Sequence, residues 1–380
     1  MCGTWMQTIA VSWLVLKMTH SGTQLGLVIA AQFLPLLIIG VWGGVVADRF
    51  DKRKLLYVTQ TLAGLLALIF GLLILTDVVQ LWMIYVLSVA FGLVLVVDNP
   101  TRQAFVSEMV GRDQLKNAIT LNSTMVNMAR VIGPSFAGIL IATVGIGTCF
   151  IINALSYLAV LIALYLMNGR ELNPAPKSLR EPGQIRAGLA YVWGEPKLKS
   201  TILMMLIIGT FAYEFPVILP LFATITLHGG AKTYSLMMTA TGVGAIAGGI
   251  YTASQAVTRE TQLVWSAILF GISMLIAALM PSLISALVVL VIVGALSVLF
   301  IALGNTTLQL TSRPDMRGRV MALWMIAFAG TTPIGGPIIG YISDHSNPRL
   351  GLAVGGLSAV IAGGLGLYVY TRGLKRLARL

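Results

Sequence analysis

The chain has 380 residues, of which 57% are hydrophobic and only 10% charged, and its mean hydropathy is +0.90. Soluble domains usually carry about 25% charged residues, so this composition excludes a soluble globular protein and predicts an all-α polytopic membrane protein. The formal net charge of +12 is concentrated in short loops, as membrane topology requires, and does not indicate a nucleic-acid partner. The sequence contains no metal-binding cysteine spacing, catalytic triad, phosphate loop or dinucleotide motif. We therefore expect neither an enzyme nor a metal site.

Twelve apolar segments are candidate membrane helices, because a spanning helix needs about 20 apolar residues. Their predicted ranges are 1–16, 25–46, 55–76, 79–100, 117–143, 148–167, 200–224, 233–256, 261–280, 283–307, 319–341 and 350–370. The first is short and has no basic flank, so we expect the native helix 1 to begin upstream of Met1. Segment 168–199 is rich in bases and prolines and separates two domains, 1–167 and 200–380. It predicts a cytoplasmic linker with an amphipathic helix near 184–193 lying on the membrane surface.

Basic residues are distributed unequally over the loops between these segments. One set of alternate loops holds only Lys17, Lys232 and Arg349, whereas the other set and the C-terminal tail hold nearly all remaining lysines and arginines. Cytoplasmic loops of membrane proteins are enriched in these residues. The pattern predicts that both termini are cytoplasmic.

The loop between the second and third segments carries a motif with paired glycines and an Asp-Arg pair. Its sequence is Gly43-Gly44-Val45-Val46-Ala47-Asp48-Arg49-Phe50-Asp51-Lys52-Arg53-Lys54. It resembles the signature G-x-x-x-D-R-x-x-R-R between helices 2 and 3 of the major facilitator superfamily. Glycines let helices approach closely, and Asp48 is placed to cap or face a helix N-terminus. A purely topogenic loop would explain the bases but not the Gly and Asp-Arg spacing.

The resemblance implies the fold of that superfamily, with twelve transmembrane helices in two six-helix bundles. It also implies that Gly43, Gly44, Asp48, Arg49 and Arg53 form a cytoplasmic gating latch. An internal repeat agrees with two related bundles, because glycine pairs recur at a nearly constant offset. The pairs are Gly43-Gly44 with Gly248-Gly249, and Gly133-Pro134 with Gly336-Pro337.

Helix 5 contains a second motif, Arg130-Val131-Ile132-Gly133-Pro134-Ser135-Phe136-Ala137-Gly138. It resembles the G-P-x-x-G signature of helix 5 in antiporters of the same superfamily, although Gly138 lies one residue later than in that spacing. The resemblance implies export rather than uptake. Gly133 and Gly138 also suit ordinary helix packing and Pro134 a bend, so a structural role is the alternative.

Three further stretches resemble one exporting branch of the superfamily. Residues 3–8, 98–103 and 112–117 are similar to the branch that exports drugs, macrolides and siderophores and includes the enterobactin exporter. We expect Asp98 to close helix 4 near the cytoplasmic face, where a pair with Arg102 or Arg49 would lock the inward gate. A solvated helix cap is the alternative for Asp98.

Two charged residues, Arg130 and Glu214, lie near the centres of predicted spans. An ionisable group there is expensive and is expected to face a cavity or a partner. Burial favours the neutral form of a carboxyl group, so Glu214, together with Asp98, is our candidate for proton coupling, and Pro216 could break its helix. Arg130 is a candidate for holding an anionic substrate. Structural hydrogen bonding is the alternative for both.

Polar, aromatic and methionine side chains inside the predicted spans are candidates for the lining of a substrate cavity. Most residues of these types only pack or face lipid, which is the alternative for each. The candidates are Gln32, Phe33, Asn122, Asn127, Asn153, Tyr157, Tyr213, Phe215, Met238, Asn305, Gln309, Trp324 and Phe328.

We expect a secondary transporter that exports amphipathic, drug-like molecules by alternating access across a bacterial inner membrane. The proton gradient would supply the energy without a cofactor, and the partners would be lipid, the substrate and protons, with the protein a monomer. Rival interpretations are a siderophore exporter, a lipid or lysolipid transporter of the same fold, and a receptor or scaffold without transport. Substrate-dependent proton movement in proteoliposomes distinguishes the transporters from the receptor.

Overall fold

The computed structural model describes residues 1–110, 114–169, 172, 184–254, 260–313 and 316–377. All regular secondary structure in these ranges is helical, because a chain in lipid must satisfy its backbone N–H and C=O groups within each segment. The chain divides into two compact units. Unit 1 comprises Met1–His20 and Val28–Arg180, and unit 2 comprises Ser21–Leu27 and Glu181–Leu380.

The first half of the chain forms six helices. They are α1 Cys2–Thr19, α2 Gly22–Arg49, α3 Lys52–Leu75, α4 Leu81–Met109, α5 Leu115–Thr143 and α6 Ile146–Leu166. α4 passes through Pro100 and ends at Met109, so our expectation that Asp98 closes helix 4 is wrong. A proline removes one backbone hydrogen bond, and membrane helices tolerate this loss where side chains and neighbouring helices satisfy the backbone. Beyond the proline, Phe105 and Glu108 of α4 are buried, and this packing favours continuation of the helix.

The core of unit 1 is built between α3, α4 and α6. Ala63, Ala67, Phe91, Val94 and Tyr157 form one buried cluster. The small alanines of α3 let the larger side chains of α4 and α6 fill the space between the helices. Large apolar side chains on the opposite faces remain exposed, as expected for surfaces in contact with lipid.

The second half of the chain forms nine helices and one π-helical turn in the part of the chain that the structure describes. They are α7 Gln184–Gly194, α8 Pro196–Phe211, α9 Phe215–Leu221, the π-turn Phe222–Thr226, α10 Ala231–Ser254, α11 Glu260–Leu279, α12 Leu283–Thr311, α13 Arg317–Ala329, α14 Thr332–His345 and α15 Pro348–Leu377. Two predicted continuous helices, 200–224 and 319–341, are each divided in two. The divisions lie at residues 212–214 and 330–331, next to Pro216 and Pro333, whose missing N–H groups are accepted at helix starts.

The linker helix α7 is held by unit 2. The Tyr191 hydroxyl accepts a hydrogen bond of 3.1 Å from the backbone N–H of Arg313, and the Arg313 guanidinium lies 5.3 Å from the centre of the Tyr191 ring. Leu189 and Trp193 stay exposed. The predicted interfacial helix is therefore docked on the protein along one side, while apolar side chains remain on another.

Ten segments of the described residues are long and apolar enough to cross a membrane, counting α8 with α9 and the π-turn as one and α13 with α14 as another. The helices α1 and α5 complete the twelve of the predicted fold. α7 lies outside this count, as the linker helix.

Glycine contacts show that the two units pack alike. In unit 1, Gly43 of α2 lies against the backbone of Val96 in α4, and in unit 2, Gly248 of α10 lies against Ala295 in α12. Gly43 and Gly248 are partners in the internal repeat of the sequence. Matching helices therefore approach through matching glycines, as a duplicated fold requires.

Replacing Gly294 of α12 by valine tests this close packing. A Cβ at Gly294 would overlap the backbone carbonyl of Thr241 in α10, whereas a Cβ at Gly364 of α15 meets no described atom within 4 Å. We expect Gly294→Val to lower the free energy of unfolding by about 1–3 kcal/mol and to reduce the melting temperature of the purified protein. Gly364→Val is the matched control; equal melting temperatures for the two variants would contradict the packing described.

Candidate functional site

Glu214 lies where the seventh membrane segment is interrupted, between the end of α8 and the start of α9. It occupies the N-cap position of α9, but its side chain makes no cap hydrogen bond. Its backbone carbonyl accepts hydrogen bonds of 3.0 Å from the N–H groups of Val217 and Ile218. Pro216 lies in the first turn of α9. Backbone N–H groups in the first turn have no acceptor within the helix, so proline costs no hydrogen bond there. The backbone alone therefore starts this helix, and the carboxyl group takes no part in capping it.

Small residues of α14 enclose the carboxyl group of Glu214. The residue is only 2% exposed. A Cβ at Gly335 would lie 3.1 Å from Oε1, and one at Gly336 would lie 3.5 Å from Oε2. The hydroxyl of Thr332 hydrogen-bonds to the carboxyl group. Within the described ranges, Oε1 has no hydrogen-bond partner, and Glu214 forms no ion pair. Among the residues that the structure describes, no positive charge pairs with this buried carboxyl group.

A second interrupted helix meets the first at Glu214. α13 ends at Ala329 and α14 begins at Thr332, and the Thr331 hydroxyl donates to the carbonyl of Ala327 at 3.1 Å. Thr332, the first residue of α14, is the residue that hydrogen-bonds to the Glu214 carboxyl group. Coupling-ion and substrate sites of secondary transporters are typically formed where helices are discontinuous. Pro216 indicated the interruption between α8 and α9 in the sequence. The segment from Gly330 to Pro333 could have indicated the interruption between α13 and α14, but we did not use it.

Tyr213 is packed beside this interruption. Its hydroxyl donates a hydrogen bond of 2.8 Å to the carbonyl of Ser297 in α12. Its ring centre lies 5.5 Å from that of Phe270, 5.3 Å from that of Phe328 and 6.3 Å from that of Phe215. Four helices, α9, α11, α12 and α13, therefore contact Tyr213, which fixes the backbone on one side of Glu214.

Asp98 is the other buried acid that we singled out, and it is fully paired within unit 1. Its Oδ1 accepts hydrogen bonds from Thr59 Oγ1 at 2.7 Å and from Gln60 Nε2 at 2.6 Å. Its Oδ2 lies 2.7 Å from Arg102 Nη2. Asp98 is 3% exposed. The carboxylate thus has a countercharge and donors on both oxygens.

A second ion pair follows Asp98 on the same face of α4. Lys52 Nζ lies 2.9 Å from Oε1 of Glu108, and both side chains are largely buried. We did not single out Glu108, because we ended helix 4 near Pro100. Extending the helix would have placed Asp98, Arg102, Phe105 and Glu108 along one face by their spacing of three and four residues.

The expected latch residues differ in burial and in the contacts that they make. Gly43 is buried against α4 and Gly44 is half-buried. Asp48 is half-buried and Arg49 exposed in the last turn of α2. Asp51, rather than Asp48, caps α3, since its side chain accepts a hydrogen bond of 2.9 Å from the Lys54 N–H. The cap that we expected in this loop is therefore present, but on a different acid.

Arg53 ties the start of α3 to the end of α6. Its guanidinium donates to the backbone carbonyls of Leu164 at 2.7 Å and Met167 at 2.9 Å. These carbonyls belong to the last turn and end of α6, where a helix has unpaired acceptors and partial negative charge. Arg53 thus stabilises the contact between α3 and α6 within unit 1.

The helix 5 motif packs against α1. A Cβ at Gly133 would lie 2.6 Å from Trp5 Cβ and 2.7 Å from the Cys2 carbonyl, and Pro134 and Gly138 are also buried. α5 continues through Pro134 without interruption. The Arg130 guanidinium lies 5.4 Å from the centre of the Trp5 ring, so a half-buried cation and an aromatic surface are side by side in unit 1.

The predicted cavity residues fall into groups by exposure. The buried candidates are Asn153, Tyr157, Phe215, Met238 and Trp324. They are held by packing or hydrogen bonds; the Asn153 side chain, for example, donates a hydrogen bond of 2.6 Å to Gln7 Oε1. Half-buried are Gln32, Phe33, Asn122, Tyr213, Asn305 and Phe328, whereas Gln309 is exposed and the side chain of Asn127 lies outside those described. The described residues contain no group of three or more side chains suited to hold a metal ion.

Comparison with known proteins gives a consistent set of matches. The family model described as "Transmembrane secretion effector" matches residues 1–377. The staphyloferrin A transporter of Staphylococcus aureus is 23% identical over 90% of this chain and 86% of its own length. The multidrug efflux pump Tap of Mycolicibacterium fortuitum is 25% identical over 90% and 86%. The enterobactin exporter EntS of Shigella flexneri is 27% identical over 95% and 86%.

Solved transporter structures share the fold. A bacterial homologue of the human lysosomal transporter Spinster, in an inward-facing and unoccupied conformation, superposes with a TM-score of 0.73 at 16% identity, covering 98% of this chain and 95% of that one. The nucleoside transporter NupG gives a TM-score of 0.71 at 12% identity, covering 97% and 100%. At these identities the likeness establishes the fold alone.

Replacing Asp98 tests the pairing within unit 1. Asp98→Ala leaves the side chains of Thr59 and Gln60 without their acceptor and Arg102 without its countercharge, so we expect a loss of about 1–3 kcal/mol per buried group left unsatisfied. Asp98→Asn keeps an acceptor and is expected to lose less. The melting temperatures of both variants measure the difference, and Asp77→Asn, in an exposed turn, is the control. An unchanged melting temperature for Asp98→Ala would contradict the pairing.

Proposed function

Because this chain belongs to the transmembrane secretion effector family of the major facilitator superfamily, we propose that it exports amphipathic small molecules in exchange for protons. Membrane transport follows from the family match over residues 1–377. Export is supported by the named functions of the relatives, two of which are an efflux pump and an exporter. The exchange for protons is our own step, and Glu214 carries it.

The single observation behind proton exchange is the setting of Glu214. A carboxylate buried without a countercharge is strongly disfavoured, whereas the neutral acid can be buried at modest cost. The Glu214 carboxyl has glycines on one side, one hydroxyl neighbour and an Oε1 without a partner among the described residues. A group in this setting gains or loses a proton when its surroundings change. That is the property a proton carrier needs.

Asp98 is better suited to a fixed role. It has an arginine partner and two further hydrogen-bond donors, and its protonation would leave the positive charge of Arg102 uncompensated. We infer that the hydrogen bonds of Thr59 and Gln60 to Asp98 and the Lys52–Glu108 pair hold α3 and α4 together. Glu214 is therefore the residue that we assign to proton coupling.

A siderophore is the second candidate substrate, and Arg130 favours it. Two of the matched relatives are named for siderophores. Arg130 lies beside the ring of Trp5 at 5.4 Å, which offers an anionic aromatic molecule both a positive charge and a surface for stacking. A cationic drug would be repelled by the same arginine. Comparing the two substrate classes is therefore part of the transport test.

The direction of the chain in the membrane follows from its basic loops. The loop at Phe50, between α2 and α3, carries Arg49, Lys52, Arg53 and Lys54, and we assign it to the cytoplasm of a bacterial cell. Both termini are then cytoplasmic, and the turns that precede α2 and α15 face outward. The latch residues of the first motif would act at the cytoplasmic side.

Glu214→Gln tests proton coupling directly. In proteoliposomes with an imposed pH gradient, the wild type is expected to accumulate ethidium or enterobactin against the concentration gradient of that substrate. In Glu214→Gln this accumulation is expected to fall by about 100-fold, while the substrate still equilibrates across the membrane. Glutamine keeps the volume but cannot release a proton. The flux of substrate and the internal pH are measured together.

Glu195→Gln is the matched control, since Glu195 lies at the start of α8 and makes no cap hydrogen bond. It is expected to leave coupled transport unchanged. Full proton-coupled accumulation by Glu214→Gln would refute the assignment of the carrier. Accumulation of neither probe by any variant, including the wild type, would count against export of these two classes.

Cysteine labelling tests the orientation. In a protein without Cys2 and Cys149, Phe50→Cys and Val78→Cys place single thiols at exposed positions in the loops after α2 and after α3. A membrane-impermeant maleimide applied to intact cells is expected to label position 78 and not position 50. The reverse pattern would invert the assignment of the two sides.

A further inference from the structure

The linker helix α7 belongs to a basic face of unit 2, which we call the linker face. It consists of residues 184–200, which include α7 and the start of α8, and residues 312–319, which connect α12 to α13. These residues contain six lysines and arginines but only two acids. Cytoplasmic loops are generally basic. That preference explains how many bases are present, but it does not explain where the structure holds them.

Two bases of the linker face lie over aromatic rings. The Lys199 Nζ lies 5.6 Å from the centre of the Trp193 ring, and the Arg313 guanidinium lies 5.3 Å from the centre of the Tyr191 ring. The Tyr191 hydroxyl also accepts a hydrogen bond of 3.1 Å from the Arg313 N–H. A cation over a ring is attracted by the electrons of its face. These two positive groups therefore keep defined positions beside α7.

Two further arginines are held at the start of α13. Arg317 Nε donates a hydrogen bond of 3.3 Å to the Ser312 carbonyl, and Arg319 Nη1 donates one of 3.3 Å to Met316 Sδ. α7 approaches this helix closely, because a Cβ at Gly188 would lie 2.9 Å from Arg319 Cβ. The bases of α13 are thus brought next to the linker helix.

α7 also presents apolar side chains beside these bases. Leu189 is 43% exposed and Trp193 is 49% exposed, and their spacing of four residues places them on one side of the helix. Gly188 and Val192, on the side that packs in unit 2, are buried. Exposed apolar side chains next to lysine and arginine are typical of helices that bind at the boundary between lipid headgroups and acyl chains. A soluble anion would use the bases but not the apolar side chains.

Charge decides which lipid suits this face. The headgroup of phosphatidylglycerol is negatively charged, whereas that of phosphatidylethanolamine has no net charge. Clusters of lysine and arginine next to a membrane attract anionic lipids, and arginine binds phosphate through several N–H groups at once. Tryptophan is enriched at the level of the headgroups, where its ring meets both polar and apolar groups. The linker face offers all of these features within one unit.

We propose that the linker face is a binding site for an anionic phospholipid. Lys199, Arg313 and Arg317 contact the phosphate group, and Leu189 and Trp193 contact the acyl chains. The site is separate from the group that we assign to proton exchange. It uses the proposed orientation only to name the cytoplasmic leaflet as the source of the lipid.

Quenching of Trp193 fluorescence by brominated lipid measures this binding. The full chain is placed in nanodiscs of equimolar phosphatidylethanolamine and phosphatidylglycerol, with bromine on the acyl chains of one lipid or the other. The chain has seven tryptophans, so the Trp193 signal is obtained as the difference between a protein and the same protein with Trp193→Phe. We expect brominated phosphatidylglycerol to quench Trp193 more strongly than brominated phosphatidylethanolamine. Lys199→Gln is expected to lower this preference by about fivefold, the effect of one base near an anionic surface.

Three other variants separate the site from general surface charge. Lys199→Arg keeps the positive charge and is expected to keep the preference. Arg317→Gln removes a second base of the linker face and is expected to lower the preference by about fivefold. Lys232→Gln is the matched control, because Lys232 is an exposed base at the start of α10, outside the linker face. It is expected to leave the preference unchanged.

Equal quenching of Trp193 by the two lipids in the wild type would overturn the proposal. An equal loss of preference in Lys199→Gln and Lys232→Gln would also overturn it, since total charge would then explain the result. Sodium phosphate is added in place of sodium chloride at the same ionic strength, and the preference is expected to remain. Its disappearance in phosphate would show that a soluble anion, and not a lipid, occupies the site.

Discussion

A carboxyl group that is removed from water needs a positive partner, a set of hydrogen-bond donors or a proton, and this requirement shapes the two units differently. In unit 1, Asp98 has its arginine and two donors, so both of its oxygens have partners. In unit 2, Glu214 has one hydroxyl neighbour and two glycines beside it. The first arrangement stabilises a fixed contact between helices. For the second, we propose that a bound proton compensates for the burial of the carboxyl group.

The helices around the two acids reflect the same difference. α3 and α4 run without interruption past Asp98, and the buried Lys52–Glu108 pair extends their contact. Around Glu214 both membrane segments that contribute to the site are interrupted, which brings backbone ends and glycines close to the carboxyl. Coupling-ion sites of secondary transporters are typically formed by interrupted helices, which is consistent with our proposal for Glu214.

The sequence predicts the helices, their number and the burial of Glu214 well, because hydrophobic length and rare intramembrane charges are strong local signals. It does not predict the burial of Glu108. It also locates the cap in the loop after α2, although on Asp48 instead of Asp51. It fails where the outcome depends on tertiary contacts: α4 continues past Pro100, and two predicted helices are divided. The partners of Asp98 and the cap that the Asp344 carboxylate of α14 places on the N-terminus of α2 join residues that no local pattern connects. Such contacts require the packed structure.

If Glu214 exchanges its proton for substrate, as we propose, then substrate binding should release a proton from the purified protein. Purified protein in weakly buffered detergent solution is mixed with ethidium or enterobactin, and the pH change is recorded. By linkage, a carrier that gives up its proton when substrate binds releases about one proton per bound molecule. We expect this release from the wild type and from Glu195→Gln, and none from Glu214→Gln. Undiminished release from a Glu214→Gln protein that still binds the substrate would contradict it.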